Sequence, residues 1–141
     1  YGEGGQCVRI PAHPELTPPE AIKVPVFAAA EASGVVWVAD GTPTGAPPEF
    51  PGFEGFRSLR IHAPATVLAQ AFGGAGHVIE GTLGPCAVVA LIQPLPGNVS
   101  ALHLLAPEGA GPATLDALSL AAEALRRTAE AQAEQAEEET A

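Results

Sequence analysis

Apolar residues at the start of the chain fall into short runs separated by turns rich in proline and glycine. The runs cover residues 7–11, 23–29 and 34–39, and valine and isoleucine are frequent in them. Short β-branched runs with turn residues on both sides are typical of strands. The pattern therefore predicts a small, antiparallel, β-rich unit in the N-terminal part of the chain.

The segment that follows has no hydrophobic period. Residues 42–55 are rich in proline and glycine, which is typical of a linker or a long loop. Three phenylalanines, Phe50, Phe53 and Phe56, lie in or next to it. We expect these rings to pack against a neighbouring surface and not to form a ligand site.

Strand-like and helix-like patterns alternate in the second half of the chain. Leu59 and Ile61 alternate with polar residues, which predicts a strand over residues 57–63. A short helix is predicted at 65–72, ended by a pair of glycines. Residues 86–93 form a continuous apolar run, as in a central strand buried on both faces. A turn containing proline and glycine then predicts a hairpin with a returning strand.

The hydrophobic period changes to that of a helix near the C-terminus, over residues 113–137. Thr114 is the expected N-cap, and Glu123–Arg127 and Arg126–Glu130 have the spacing of helical ion pairs. The apolar stripe comprises Leu115, Leu118, Ala122, Leu125 and Ala129. Such a stripe can cover one face of a sheet, so the predicted fold class is α+β.

Charge restricts the classes of partner. The chain of 141 residues has a formal net charge of −10 and only six basic residues. Nucleic acids and anionic membranes require clustered Lys and Arg side chains, so neither is an expected partner. No apolar run approaches the ~20 residues that cross a bilayer. A cytoplasmic protein is predicted.

The two cysteines do not form a disulfide framework. A Cys7–Cys86 bridge could form, but we expect two isolated thiols. The chain contains no methionine, begins at Tyr1 and has no recognisable signal peptide at its start. We therefore expect it to be a piece of a longer product.

Two of the predicted strands resemble segments of Rieske-type ring-hydroxylating oxygenases, in the large catalytic subunit. Residues 5–11, GQCVRIP, resemble a strand that follows the second Cys-x-x-His pair of that family. Residues 34–41, GVVWVADG, resemble a later Gly-x-Val-Trp-Val strand, and Tyr1 stands where an aromatic residue follows the ligand pair. The resemblance joins two motifs at a plausible spacing but includes no metal ligand.

The resemblance implies a division of the chain and a set of cofactors and partners. Residues 1–41 would be the end of a Rieske-like domain, 42–55 a linker, and 56–141 a shortened catalytic domain in which an antiparallel sheet grips a long C-terminal helix. In intact relatives a reductase or ferredoxin passes electrons to a [2Fe–2S] cluster and then to a mononuclear iron, often within a trimer. The ligands of the cluster, a Cys-x-His and a Cys-x-x-His pair, do not occur here.

The mononuclear iron ligands are also missing from the matching stretch. The family has Asp-x-x-His-x-x-x-x-His before a Gly-Thr-Leu-Gly-like turn. Alignment on residues 81–84, GTLG, places Ala71, Gly74 and Ile79 at the ligand positions, and none can bind iron. A shift of two residues would bring His77 to the second ligand position with Glu80 nearby, and these two residues are the candidate metal ligands.

Other reactive side chains show no motif in the sequence. His103 shares a strand face with Val99, Ala101 and Leu105, and we expect it to be structural. Ser58, like the other serines, has no evident base partner, and no Gly-x-Ser-x-Gly motif occurs. No catalytic or cofactor-binding residue is assigned.

Two functions are compatible with these observations. One is part of a Rieske oxygenase-like oxidoreductase that hydroxylates or demethylates a ring-type substrate, inactive as this chain because its ligands are missing. The other is a non-catalytic subunit on a degenerate oxygenase scaffold, which assembles with other proteins or encloses a small apolar ligand.

Overall fold

The computed structural model describes residues 1–140, and the side chains of residues 1–139. The chain is an α+β protein with two antiparallel sheets and a long C-terminal helix. In chain order the elements of residues 1–140 are β1 (Ala28–Ala32), β2 (Val35–Ala39), β3 (Phe53–Ile61), α1 (Ala65–Phe72), β4 (Val78–Leu83), β5 (Cys86–Leu95), β6 (Val99–Pro107) and α2 (Pro112–Thr140). Strands β1 and β2 form one sheet, and the other has the order β3-β6-β5-β4.

The chain divides into two compact units. The first comprises Tyr1–Glu31 and Val36–Pro47, and the second comprises Ala32–Val35 together with the chain from Pro48 onward. The sequence predicts three parts on the basis of family resemblance. Compact units in the structure do not test such a relationship, so the three-part division stays a prediction.

The N-terminal strands differ from the prediction. Residues 7–11 are not a strand, because only one antiparallel bridge, Gln6 with Lys23, forms in this region. In this antiparallel register residues 10 and 11 would lie opposite Pro19 and Pro18, which have no N–H group to extend the ladder. The run at 23–29 was also predicted to be a strand, but strand structure begins only at Ala28 and pairs with β2. The predicted strand at 34–39 is confirmed as β2.

The hairpin of β5 and β6 is confirmed and occupies the middle of the larger sheet. Val89 lies opposite Leu105 and Ile92 opposite Leu102. Residues 88–92 of β5 are all buried, as expected for a central strand. Strand β4 was not predicted, because residues 81–84 were aligned with a turn of the oxygenase family. Residues 81–83 instead continue the strand, and the chain reverses only at Gly84 and Pro85.

Both helices contribute to a core on one face of this sheet. The core joins even-numbered residues of β5 and β6 with Leu68 of α1 and the apolar stripe of α2. Leu118, Ala122 and Ala129 are fully buried, and Leu125 is nearly so, which confirms the predicted stripe. The completely or almost completely buried side chains include Ile61, Leu68, Leu102, Leu104, Leu118 and Val88.

The helix ends follow backbone chemistry. Helix α1 ends as predicted, since Gly73 adopts a left-handed conformation and the N–H groups of Gly73 and Gly74 donate to the carbonyls of Gln70 and Ala69. The predicted N-cap of α2 is wrong, because the helix begins at Pro112, two residues before Thr114. Proline is favoured at the first helical position, where no N–H partner is needed.

A chain of ion pairs joins β3 to α2. Arg57 Nη2 lies 2.8 Å from Glu123 Oε1, and Arg126 contacts both Glu123 and Glu130 at 3.0 and 3.6 Å. Glu130 also accepts the backbone N–H of His62 at 3.1 Å. The Arg126–Glu130 pair is thus confirmed, whereas Glu123 pairs with Arg57 and Arg126 and not with Arg127.

Replacement of Glu123 tests the contribution of this chain of ion pairs. We expect Glu123→Gln to lower the free energy of unfolding by about 0.5–1 kcal/mol, because these pairs are only partly buried. Urea titration followed by circular dichroism measures the change. Glu134→Gln, at an exposed position of the same helix, is the matched control. Equal stabilities of the two variants would show that the ion pairs contribute nothing to folding.

Candidate functional site

The three positions aligned with iron ligands lie at the junction of α1 and β4. Ala71 is in the last turn of α1, Gly74 follows the helix, and Ile79 is the second residue of β4. Ala71 and Ile79 pack against the core. A Cβ atom added to Gly74 would lie 2.9 Å from Cγ2 of Ile79, so these two positions are direct neighbours. The junction is therefore filled with hydrocarbon.

His77 lies beside this junction with its ring held by the backbone. Its Nδ1 is 3.1 Å from the carbonyl oxygen of Ile92, and its own carbonyl accepts the Ile92 N–H at 2.7 Å. A carbonyl oxygen only accepts, so Nδ1 carries the proton and a neutral ring has a free lone pair on Nε2. Metal-binding histidines are commonly oriented in this way.

Glu80 is not brought to His77. Side chains alternate along a strand, so Glu80 lies on the face of β4 opposite Ile79 and the core. Within residues 1–140, no hydrogen bond or ion pair joins His77 to Glu80, and no group of three or more His, Cys, Asp or Glu side chains could hold a metal ion. The assignment of these two residues as ligands stays a prediction.

A second polar group lies on the sheet face opposite the helices and was not found from the sequence. Ser58 Oγ is 2.7 Å from His103 Nδ1, and His103 Nε2 is 3.3 Å from Gln93 Oε1. The three residues come from β3, β6 and β5, which are neighbouring strands. Ser58 therefore does have a base partner, contrary to the expectation from its sequence context.

A β-bulge produces this contact. The pairing of β3 with β6 shifts by one residue between Gly55 and Arg57, and Ser58 then lies opposite His103. Without the shift, Arg57 would occupy that place, and the faces of all later residues in β3 would be exchanged. A bulge has no reliable signal in a single sequence, although Gly55 is a residue typical of one.

Hydrogen bonding and burial define the state of His103. The Gln93 amide oxygen is an acceptor, so Nε2 donates to it and the unprotonated Nδ1 accepts the Ser58 hydroxyl. Burial lowers the pKa of His103 below its ordinary value of 6.5, because the charged ring loses solvation. The ring is thus neutral at pH 7 and has a proton-accepting atom facing a hydroxyl.

No protein-family model matches the sequence, and no curated protein matches it.

No helix within residues 1–140 has both the length and the apolar character needed to cross a membrane. Both cysteines are free thiols: Cys7 is half-buried and Cys86 is buried. The Cys86 thiol donates a hydrogen bond to the carbonyl oxygen of Thr114.

The lowered pKa of His103 predicts a dependence of stability on pH. The unfolded chain binds a proton near pH 6.5 and the folded chain only at lower pH, so stability falls as pH decreases through this window. An NMR titration of the ring protons, assigned with His103→Gln, should give a midpoint below 6.5. A midpoint at or above that value would contradict the burial of the ring.

Proposed function

We propose that the chain is an assembly subunit without oxygenase activity, on a degenerate scaffold similar to that of Rieske-type oxygenases, with a helix-grip-like second unit. The observation that carries the proposal is the apolar filling of the junction between α1 and β4. Ala71, Gly74 and Ile79 are the positions where the resemblance implies iron ligands. Two of them are part of the core packing, and the third is in contact with Ile79.

This filling removes both the donors and the space for a mononuclear iron at that place. A histidine at position 74 would collide with Ile79, since even a Cβ atom approaches its Cγ2 to 2.9 Å. Iron coordination also needs nitrogen or oxygen ligands, which an alanine, a glycine and an isoleucine side chain cannot supply. Oxygen activation at this position is therefore not part of the proposed function.

The interior between the sheet and the helices favours assembly over an enclosed small ligand. Leu68, Leu102 and Leu104 are at most 1% exposed, so side chains fill the space that a helix-grip fold can use for a ligand. Apolar surface is instead displayed on the first unit. Within the described residues, nine of the eleven exposed large apolar side chains belong to it: Tyr1, Val8, Leu16, Ile22, Val24, Val26, Phe27, Val36 and Val38.

Strand β2 is the part of this apolar surface best suited to bind another chain. Val36 and Val38 are 68% and 64% exposed on one face of the strand. Within residues 1–140, β1 and β2 pair only with each other, so their outer edges have N–H and C=O groups available for another strand. An isolated hairpin is marginally stable, and added strands stabilise it. The resemblance implies further copies of the chain as partners, with a reductase or ferredoxin as the other class.

A working oxygenase segment is the second candidate, and the orientation of His77 favours it. Its Nδ1 proton is engaged by the Ile92 carbonyl, which leaves Nε2 as a potential iron ligand. Because Glu80 lies on the opposite face of β4, a carboxylate and a second histidine would both have to come from another chain or segment. Hydroxylation or demethylation of a ring-type substrate, with electrons from a [2Fe–2S] cluster, would then be the activity.

Metal binding distinguishes the two candidates. We expect the purified chain to bind no stoichiometric Fe²⁺ or Co²⁺ under anaerobic conditions, as measured by equilibrium dialysis and metal analysis. The triple variant Ala71→Asp, Gly74→His, Ile79→His should gain a Co²⁺ site with visible absorption, since it restores two histidines and a carboxylate. The matched control carries Asn, Gln and Gln at the same positions.

Either of two results would contradict the proposal. Stoichiometric iron on the unaltered chain that is lost in His77→Gln would support the oxygenase candidate. A triple variant that folds, as judged by circular dichroism, but binds no Co²⁺ would show that the three positions do not form one site.

Self-association tests the assembly role. We expect sedimentation equilibrium to show association of the chain, weakened at least about tenfold in Val36→Thr with Val38→Thr, because each valine loses apolar contact while the strand is kept. Leu120→Thr, at an exposed apolar position of α2, is the control and should leave association unchanged. A chain that stays monomeric at high concentration would contradict self-assembly.

A further inference from the structure

The hydrogen-bonded row of Ser58, His103 and Gln93 is independent of the junction between α1 and β4. We propose that Ser58 is a nucleophile activated by His103, and that this row transfers the acyl group of small carboxylic esters to water. Gln93 acts as a positioning residue for the imidazole ring. This inference does not depend on the proposed assembly role, since the three residues belong to the second unit and the assembly surface belongs to the first.

Geometry supports the roles of the two reacting side chains. A general base must lie within hydrogen-bonding reach of the proton that it removes, and His103 Nδ1 is 2.7 Å from Ser58 Oγ. The Gln93 amide oxygen accepts from Nε2 at 3.3 Å, which selects the tautomer with an unprotonated Nδ1. A neutral ring with its base atom on a hydroxyl is the arrangement that activates a serine.

Access and charge also suit the reaction. Ser58 and Gln93 are exposed and His103 is half-buried, so an ester in solution can reach Oγ while the base is partly shielded from water. Burial lowers the pKa of His103, which keeps the ring neutral at pH 7. Arg60 follows Ser58 by two residues on the same face of β3, where its positive charge can stabilise a developing oxyanion.

The proposed reaction balances without a further reagent. Ser58 Oγ attacks the ester carbonyl carbon and forms a new C–O bond, while its proton passes to His103 Nδ1. The bond to the leaving alkoxide then breaks, and the alkoxide takes that proton and departs as the alcohol. Water repeats the sequence on the acyl-serine, which releases the carboxylic acid and restores the Ser58 hydroxyl.

Acylation by p-nitrophenyl acetate tests the proposal on the full chain. We expect release of p-nitrophenolate and one acetyl group on the peptide containing Ser58, detected by mass spectrometry. His103→Gln should reduce the acylation rate about 100-fold or more, the usual contribution of a general base. Ser58→Ala should remove the acetyl group, and Ser119→Ala, on α2, should not change it.

The role of Gln93 needs a result that a merely structural residue would not give. We expect Gln93→Ala to lower the rate about tenfold and Gln93→Glu to restore or exceed it, since a carboxylate stabilises the imidazolium. Circular dichroism and thermal unfolding check that each variant folds. Acetylation spread over several residues, or an unaltered rate in folded Ser58→Ala or His103→Gln, would overturn the proposal.

Discussion

The packing of the β5–β6 hairpin against α1 and α2 is the contact on which the second unit depends. One face of the hairpin presents Val88, Leu102 and Leu104 to the helices, all at most 1% exposed. Burial of each such side chain contributes about 1.5–3 kcal/mol, whereas each of the partly buried ion pairs contributes at most about 1 kcal/mol. Alanines at 122 and 129 allow α2 to approach the sheet closely. Apolar packing therefore holds α2 against the sheet, and the polar contacts of Glu123 and Glu130 with Arg57 and His62 add a smaller contribution.

The same packing bears on the proposal that this chain has an oxygenase-like scaffold without oxygenase chemistry. In that family the segment between helix and hairpin would carry a polar metal centre, which needs charged ligands close to the core. In this chain, Ile79 extends the hydrophobic core into the place that such a centre would occupy, and Gly74 leaves it room to do so. A filled junction removes the cost of burying a carboxylate and two imidazoles without their metal. On the proposed oxygenase-like scaffold, loss of the metal site and gain of core packing would therefore be one change.

The bulge at Gly55 decides what the other face of the sheet displays. Its one-residue shift sends Arg57 toward α2, where it meets Glu123, and sends Ser58 toward His103. Both the ion-pair chain and the polar row therefore depend on one irregularity in an edge strand. The backbone at Gly55 lies against the backbone of residues 33 and 34. The Gly55 N–H donates to the Ser33 carbonyl at 2.8 Å, and a side chain at position 55 would overlap the carbonyl of Gly34. A glycine is required because two backbone segments touch.

Hydrophobic periodicity by itself determined the α+β class, the short helix and its glycine end, the central hairpin, and the buried stripe of α2. These features follow from side-chain period and from turn chemistry, which are local properties of the sequence. Strand β4 and the extent of the N-terminal strands were not determined locally, because pairing partners and prolines decide whether an extended segment joins a sheet. Ser58 and His103, separated by 45 residues, were brought together only by strand register. The tertiary structure alone decided that contact, since a shift of one residue exchanges the two faces of a strand.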